Sequence, residues 1–125
     1  MYKILNELNK DKRAIRDIVR DKLIEQMEAD ERVCYLDADL MNCIGTRKLV
    51  PMFPNRAINC GIAEANMVGV AAGMSAAGMI PYCHSFGIFA SRRVMDQAFM
   101  SVAYAKLNVR ILGSDAGVTA ALNGG

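Results

Sequence analysis

From Ala65 to Ser91 the chain carries no Asp, Glu, Lys or Arg. So long an uncharged run belongs inside protein or lipid, which limits what the chain can fold into. Gly69, Gly73, Gly78, Pro81 and His84 interrupt it, and its apolar side chains are mostly small. Gly69 and Gly73 form a GxxxG pair, a spacing that packs membrane helices. It equally lets a soluble helix lie close to a sheet. The interruptions favour a buried helix followed by a buried strand over a membrane span.

The rest of the chain alternates in the same way. Ile15, Ile18, Val19, Leu23 and Met27 recur at helical spacing among charges, predicting an amphipathic helix over 11–28 with Asp11 as N-cap. Short apolar runs at 33–36, 57–60, 80–84 and 109–112 read as strands. Small residues over 62–77 read as a helix that stops near Gly78. A further helix is predicted over 91–106, with Val94, Ala98, Val102 and Ala105 on one face. A loop with Gly45, Pro51 and Pro54 lies between the first two strands, and Gly113 opens another. Helices alternating with short apolar strands predict an α/β three-layer sandwich around a mostly parallel sheet. Sites in such folds lie beyond the carboxyl ends of the strands. Asp37, Asp39, Gly61, Ser85, Phe86 and Ser114 all gather at that rim.

Composition narrows the function classes. The chain is 53% hydrophobic and 22% charged, enough to bury a core, and its net charge of +2 predicts no nucleic-acid partner. The N-terminus has no signal-peptide core, so no membrane or secretory route is expected. Cys34, Cys43, Cys60 and Cys83 form no CxxC pair, and there is one histidine. A zinc site is therefore not expected, and reduced thiols in a cytoplasm fit best. No metal site is predicted in this chain.

Glu64 is the main candidate for chemistry. It sits in the first turn of a helix whose remainder is uncharged. The helix dipole favours a carboxylate there, while burial opposes it. A carboxyl held between those influences can act as a tuned acid or base. An exposed, merely stabilising first-turn acid is the alternative, and local physics alone favours it, since such acids are common at helix starts.

The string CGIAEANMVGVAAGM at 60–74 resembles the pyrimidine-domain signature of transketolases. It is similar, more loosely, to deoxyxylulose-phosphate synthases and the beta subunits of 2-oxo acid dehydrogenases. VCYLDADL at 33–40, HSFGIFASRRVMDQ at 84–97 and GSDAGVTAALNGG at 113–125 agree in order and spacing. The resemblance runs from about Arg16 to the last residue. It implies a thiamine diphosphate-binding fold of the pyrimidine-domain type and a role in ketol transfer between sugar phosphates, as in the pentose phosphate pathway.

In that family the glutamate matching Glu64 hydrogen-bonds N1′ of the cofactor's aminopyrimidine and favours the imino tautomer that removes the thiazolium C2 proton. The resemblance implies further cofactor contacts by Phe86, Phe89, Asp39 and Ile62. It implies substrate contacts by Arg16, Cys43 and Asp115, with Arg16 on the sugar phosphate, where a planar guanidinium suits the anion. Phe86 and Phe89 can equally be core residues. Asp39 can be an ordinary loop acid, and Arg16 lies on a helix where most charges face water. His84 either contacts substrate or is a buried or rim residue hydrogen-bonded to backbone.

Several positions depart from the family pattern. Cys43 stands for a serine, Asp115 for a histidine, Asn123 for an aspartate, and Arg92 for a third aromatic ring. An acid at position 115 repels an anionic substrate. The GDG motif that holds magnesium and the diphosphate is missing. A separate diphosphate-binding domain or subunit, as in split transketolases, is therefore the expected partner and the expected holder of Mg²⁺. A homodimer or heterotetramer with sites between subunits follows, and this chain alone is expected to be inactive. The apolar helix at 62–77 is the expected contact surface between pyrimidine domains. Residues 1–10 read as a leader and 11–125 as an incomplete pyrimidine-binding domain, truncated at its C-terminus. Two rivals remain: a deoxyxylulose-phosphate synthase, and a non-catalytic pyrimidine-domain protein that binds or regulates.

Overall fold

The computed structural model describes residues 12–117. Asp11, the leader and Asn123 lie outside them. The element order is α1 (Ile15–Ala29), β1 (Val33–Asp37), α2 (Met41–Ile44), α3 (Leu49–Met52), β2 (Ala57–Asn59), α4 (Glu64–Ala76) and β3 (Ile80–Phe86). Two π-helical segments, α5 (Phe89–Arg93) and α6 (Gln97–Ala103), then lead to β4 (Arg110–Ser114). The four strands form one sheet in the order β2-β1-β3-β4, and every pairing is parallel.

Strand alternation sorts the core into two halves. Val33 and Tyr35 of β1, with Ile80, Tyr82 and Leu112, point to the face covered by α1. There they pack with Leu23, Met27, Met41 and Leu49. Cys34, Leu36 and Cys83 point the other way, against Met67 and Ala71 of α4. Val68 and Ala72 of α4 meet Val94 and Val102, which ties the α5–α6 region to the same face. Each fully buried Val, Leu or Met is worth about 1.5–3 kcal/mol of burial, so these clusters hold the three layers together.

The structure corrects several expectations. β3 runs on to Phe86 and β4 to Ser114, so Ser85, Phe86 and Gly113 belong to strands rather than to the loops after them. A Cβ on Gly113 would lie 2.9 Å from the Gly87 Cα, so only glycine lets β4 pass the chain leaving β3. The helix expected over 91–106 starts earlier and divides at Val94, and Ala105 lies outside it. The loop after β1 contains two single helical turns, α2 and α3. Ile15 is 80% exposed, because α1 begins beyond the carboxyl edge of the sheet. Gly69 and Gly73 face outward with nothing within 4 Å of an added Cβ, so they bring no helix close to the sheet. α4 is therefore half buried: Glu64, Met67, Val68, Ala71 and Ala72 face in, while Val70 is exposed. No helix among the described residues is long and apolar enough to cross a membrane.

Candidate functional site

His84 and Ser85 are neighbours in β3, so their side chains leave the sheet on opposite faces. That one-residue step divides the carboxyl rim into two polar sites.

On the α4 face, Glu64 begins its helix and points inward, only 2% exposed. Its Oε1 accepts a hydrogen bond from the Ser85 hydroxyl at 3.1 Å. Its Oε2 accepts from Arg93 Nη1 at 2.9 Å. Burial pushes the Glu64 carboxyl up. The hydrogen bonds from Arg93, its own backbone N–H and Ser85, with the Arg93 charge, outweigh that and hold it below its ordinary value. The Arg93 guanidinium lies 3.8 Å from the centroid of the Phe89 ring, a cation–π contact. Phe86 stands behind Phe89, with ring centroids 6.3 Å apart and the planes tilted by 44°. Both rings are half-buried. Ile88, Phe89, Arg92 and Arg93 line a shallow open pocket beside them. A buried carboxylate capped by a planar cationic N–H donor, itself stacked on an aromatic ring, can bind a flat heterocycle and share a proton with it.

Asp39 and Ile62 lie farther out on the rim. Asp39 is exposed and left-handed, at φ 65°, a conformation that Asp tolerates better than most residues. Asn59 holds it by donating from Nδ2 to Asp39 Oδ1 at 2.9 Å and accepting from the Asp39 N–H at 3.1 Å. Ile62 is 77% exposed.

The α1 face is different in kind. His84 is fully buried, with Nδ1 2.8 Å from Asp37 Oδ2 and Nε2 3.0 Å from Ser114 Oγ. The buried Asp37 carboxylate also accepts from the Tyr35 hydroxyl at 2.6 Å and from the Leu40 N–H. The Thr46 hydroxyl donates on to the Tyr35 oxygen at 3.1 Å. Burial first, and then the Asp37 charge and hydrogen bond, push the Tyr35 hydroxyl far up, so it stays protonated as a donor. His84 is thus bonded to side chains, not to backbone as one sequence reading had it. Its polar edge faces a cavity of about 670 Å³, whose lining includes Arg16, Cys43, Ser114 and Asp115. Arg16 donates from Nη1 to the Cys43 carbonyl at 3.3 Å. The three residues named for substrate contact therefore share one cavity, on the α1 side of the sheet and away from Glu64.

Sequence reasoning named Glu64, Phe86, Phe89, Arg16, Cys43 and Asp115; it named Asp37, His84 and Ser114 without pairing them, and it did not name Arg93. Alternation from Cys83 to Ser85 carried the signal for Ser85. Nothing in spacing pairs Glu64 with Arg93. All four cysteines are free; Cys34 and Cys83 are buried and Cys43 is exposed.

The family model for the transketolase pyrimidine-binding domain matches residues 11–125. The chain belongs to the transketolase pyrimidine-binding family. A 6-deoxy-6-sulfo-D-fructose transketolase subunit from Clostridium sp. (strain MSTE9) is 55% identical over 89% of this chain and 34% of its own length. A putative transketolase C-terminal section from Methanocaldococcus jannaschii is 41% identical over 83% of this chain and 33% of its length. A split-gene transketolase solved as an inactive beta4 tetramer has a TM-score of 0.71 and 39% identity, covering 78% of this chain and 33% of that one. The chain thus spans about a third of the length of these relatives. The parallel α/β sheet and its layers agree with membership of this family.

Proposed function

We propose that the chain supplies the pyrimidine half of a thiamine diphosphate-dependent transketolase. The single observation that carries this reading is the buried Glu64 carboxylate, kept ionised beside Phe89. The residues present fit the group: Arg93, a flat cationic N–H donor on Oε2, already occupies the kind of position an aminopyrimidine N1′ requires. Bound thiamine diphosphate supplies a carbanion site and an electron sink next to a ketose carbonyl. Glu64 Oε2 then holds a proton at N1′, Ser85 fixes the other oxygen, and Phe89 and Phe86 stack on the ring and exclude water. Arg93, half exposed, gives up Oε2 to the ring. Asp39 and Ile62 border the cofactor on the outer rim.

A diphosphate-binding partner subunit, holding Mg²⁺, completes the site, and the chain alone is inactive. Both split relatives support this assembly. Val70, Met95, Phe99, Met100 and Tyr104 are exposed apolar side chains on or beside α4 and α6, and they supply a surface for a dimer or heterotetramer. Four free cysteines support a reducing, cytoplasmic setting.

The donor is a ketose with a terminal anion that Arg16 receives. A sugar phosphate is the first reading. One observation favours a second, a sulfonated ketose. Asp115 shares the cavity with Arg16, and the acid offsets the cation. That balance suits a sulfonate monoanion better than a phosphate dianion, and the relative at 55% identity is named for a sulfosugar.

The test is ketol transfer by the full-length chain reconstituted with a diphosphate-binding subunit, cofactor, Mg²⁺ and each donor. Glu64→Ala and Glu64→Gln are expected to lose about a hundredfold or more. Full activity in both variants removes Glu64 from the chemistry. No activity with cofactor bound favours a regulatory protein, and CO₂ release from a 2-oxo acid favours a deoxyxylulose-phosphate synthase.

A further inference from the structure

Among the described residues, the most extensive buried side-chain hydrogen-bond network lies outside the proposed pyrimidine site. Asp37, His84 and Ser114 sit on three adjacent strands, β1, β3 and β4, at their carboxyl ends. Parallel pairing sets Asp37 beside His84 and His84 beside Leu112, two residues before Ser114. The chain of hydrogen bonds has a direction. An ionised Asp37 carboxylate is acceptor-only, so it takes the Nδ1 proton of His84. The neutral ring then presents Nε2 as an acceptor, because the partner on one nitrogen fixes the other. The Ser114 hydroxyl must therefore donate to Nε2, at 3.0 Å. Its proton is committed to the interior and its oxygen lone pairs are left facing the cavity. Three donors converge on the Asp37 carboxylate and fix its position against the ring.

We propose that Ser114 is a specificity-determining residue that accepts a hydrogen bond from a hydroxyl of a polyhydroxy, terminally anionic ligand, with His84 and Asp37 as positioning residues that hold it in the acceptor state. This rests on the reading of the chain as half of a transketolase site. The cavity supplies what such a ligand needs. Arg16 meets the anion at one side, Asp115 and Ser114 are acceptors for hydroxyls, and about 670 Å³ is within the usual range for a small-molecule site. A cluster that merely clamps the α2 turn to the sheet has no need of Ser114, which is only partly buried and at the far end from Thr46.

The test uses the reconstituted complex, a ketose phosphate donor and its monodeoxy analogues. Ser114→Ala is expected to raise KM about tenfold for the full donor, with kcat changed less. For the one analogue that lacks the hydroxyl read by Ser114, wild type and variant become equal. Ser114→Thr restores the discrimination. Asp37→Asn, where it folds, lets the ring take the other tautomer and turns the Ser114 proton toward the cavity, with the same loss as Ser114→Ala. Equal KM ratios for all donors in Ser114→Ala, in an active complex, overturn the inference and leave the role of Glu64 standing. Independently of activity, nitrogen NMR of His84 in the full chain is expected to show a protonated Nδ1 and a bare Nε2. A protonated Nε2 overturns it whatever the turnover.

Discussion

The two faces of the carboxyl rim treat their charged groups in opposite ways. On the α1 face Asp37 is fully buried, bonded to three donors, and sealed into a network that reaches Thr46. On the α4 face Glu64 is nearly as deeply buried, yet its Oε2 accepts from Arg93, whose side chain is 46% exposed. A closed network fixes geometry, whereas a carboxylate guarded by a half-exposed cation can exchange its partner. The first arrangement suits recognition of a rigid set of hydroxyls, the second suits binding of a planar group that must share a proton.

Substitutions can break that contrast. Asp37→Ala strands His84 and Tyr35 in the core and is expected to cost on the order of 3 kcal/mol, read as a lowered midpoint in chemical denaturation. Gly113→Ala drives a methyl into the Gly87 Cα and is expected to cost about 1–3 kcal/mol, while disturbing both faces at once. Arg93→Gln is expected to cost less than either, because its charge is half in water. It sharpens the comparison instead through pH. Folding lowers the Glu64 pKa, so its ionised form stabilises the fold above the ordinary glutamate range, and that contribution disappears as pH falls through the lowered value. In Arg93→Gln the acid limb of the stability–pH curve should move to higher pH; an unmoved limb means Arg93 does not set the Glu64 charge. Ser85→Ala, which removes the other hydrogen bond to Glu64, should move it least.

Much of the fold was legible because burial writes itself into composition. The uncharged run from Ala65 to Ser91 became a half-buried helix and a central strand, and the alternation of apolar runs became a parallel sheet. Two things escaped. Strand ends were misplaced because Ser85 and Ser114 look like loop residues, although they are strand residues whose hydroxyls are satisfied by Glu64 and His84. The π-helical segments around Val94 escaped because their register depends on packing against α4, not on local periodicity. For the site, Glu64 was marked by its position at a helix start. Its partner Arg93 lies 29 residues away, and only the folded sheet edge brings them together.

The division of labour between the faces rests on Glu64 sharing a proton with the cofactor ring. Deuterium exchange at C2 of thiamine diphosphate, bound to the reconstituted complex and followed by proton NMR, reads that function without any sugar substrate. With Glu64→Gln the cofactor should still bind, and C2 exchange should slow by about a hundredfold or more, whereas Ser114→Ala should exchange at the wild-type rate. Exchange at the wild-type rate in Glu64→Gln, with cofactor bound, would contradict it.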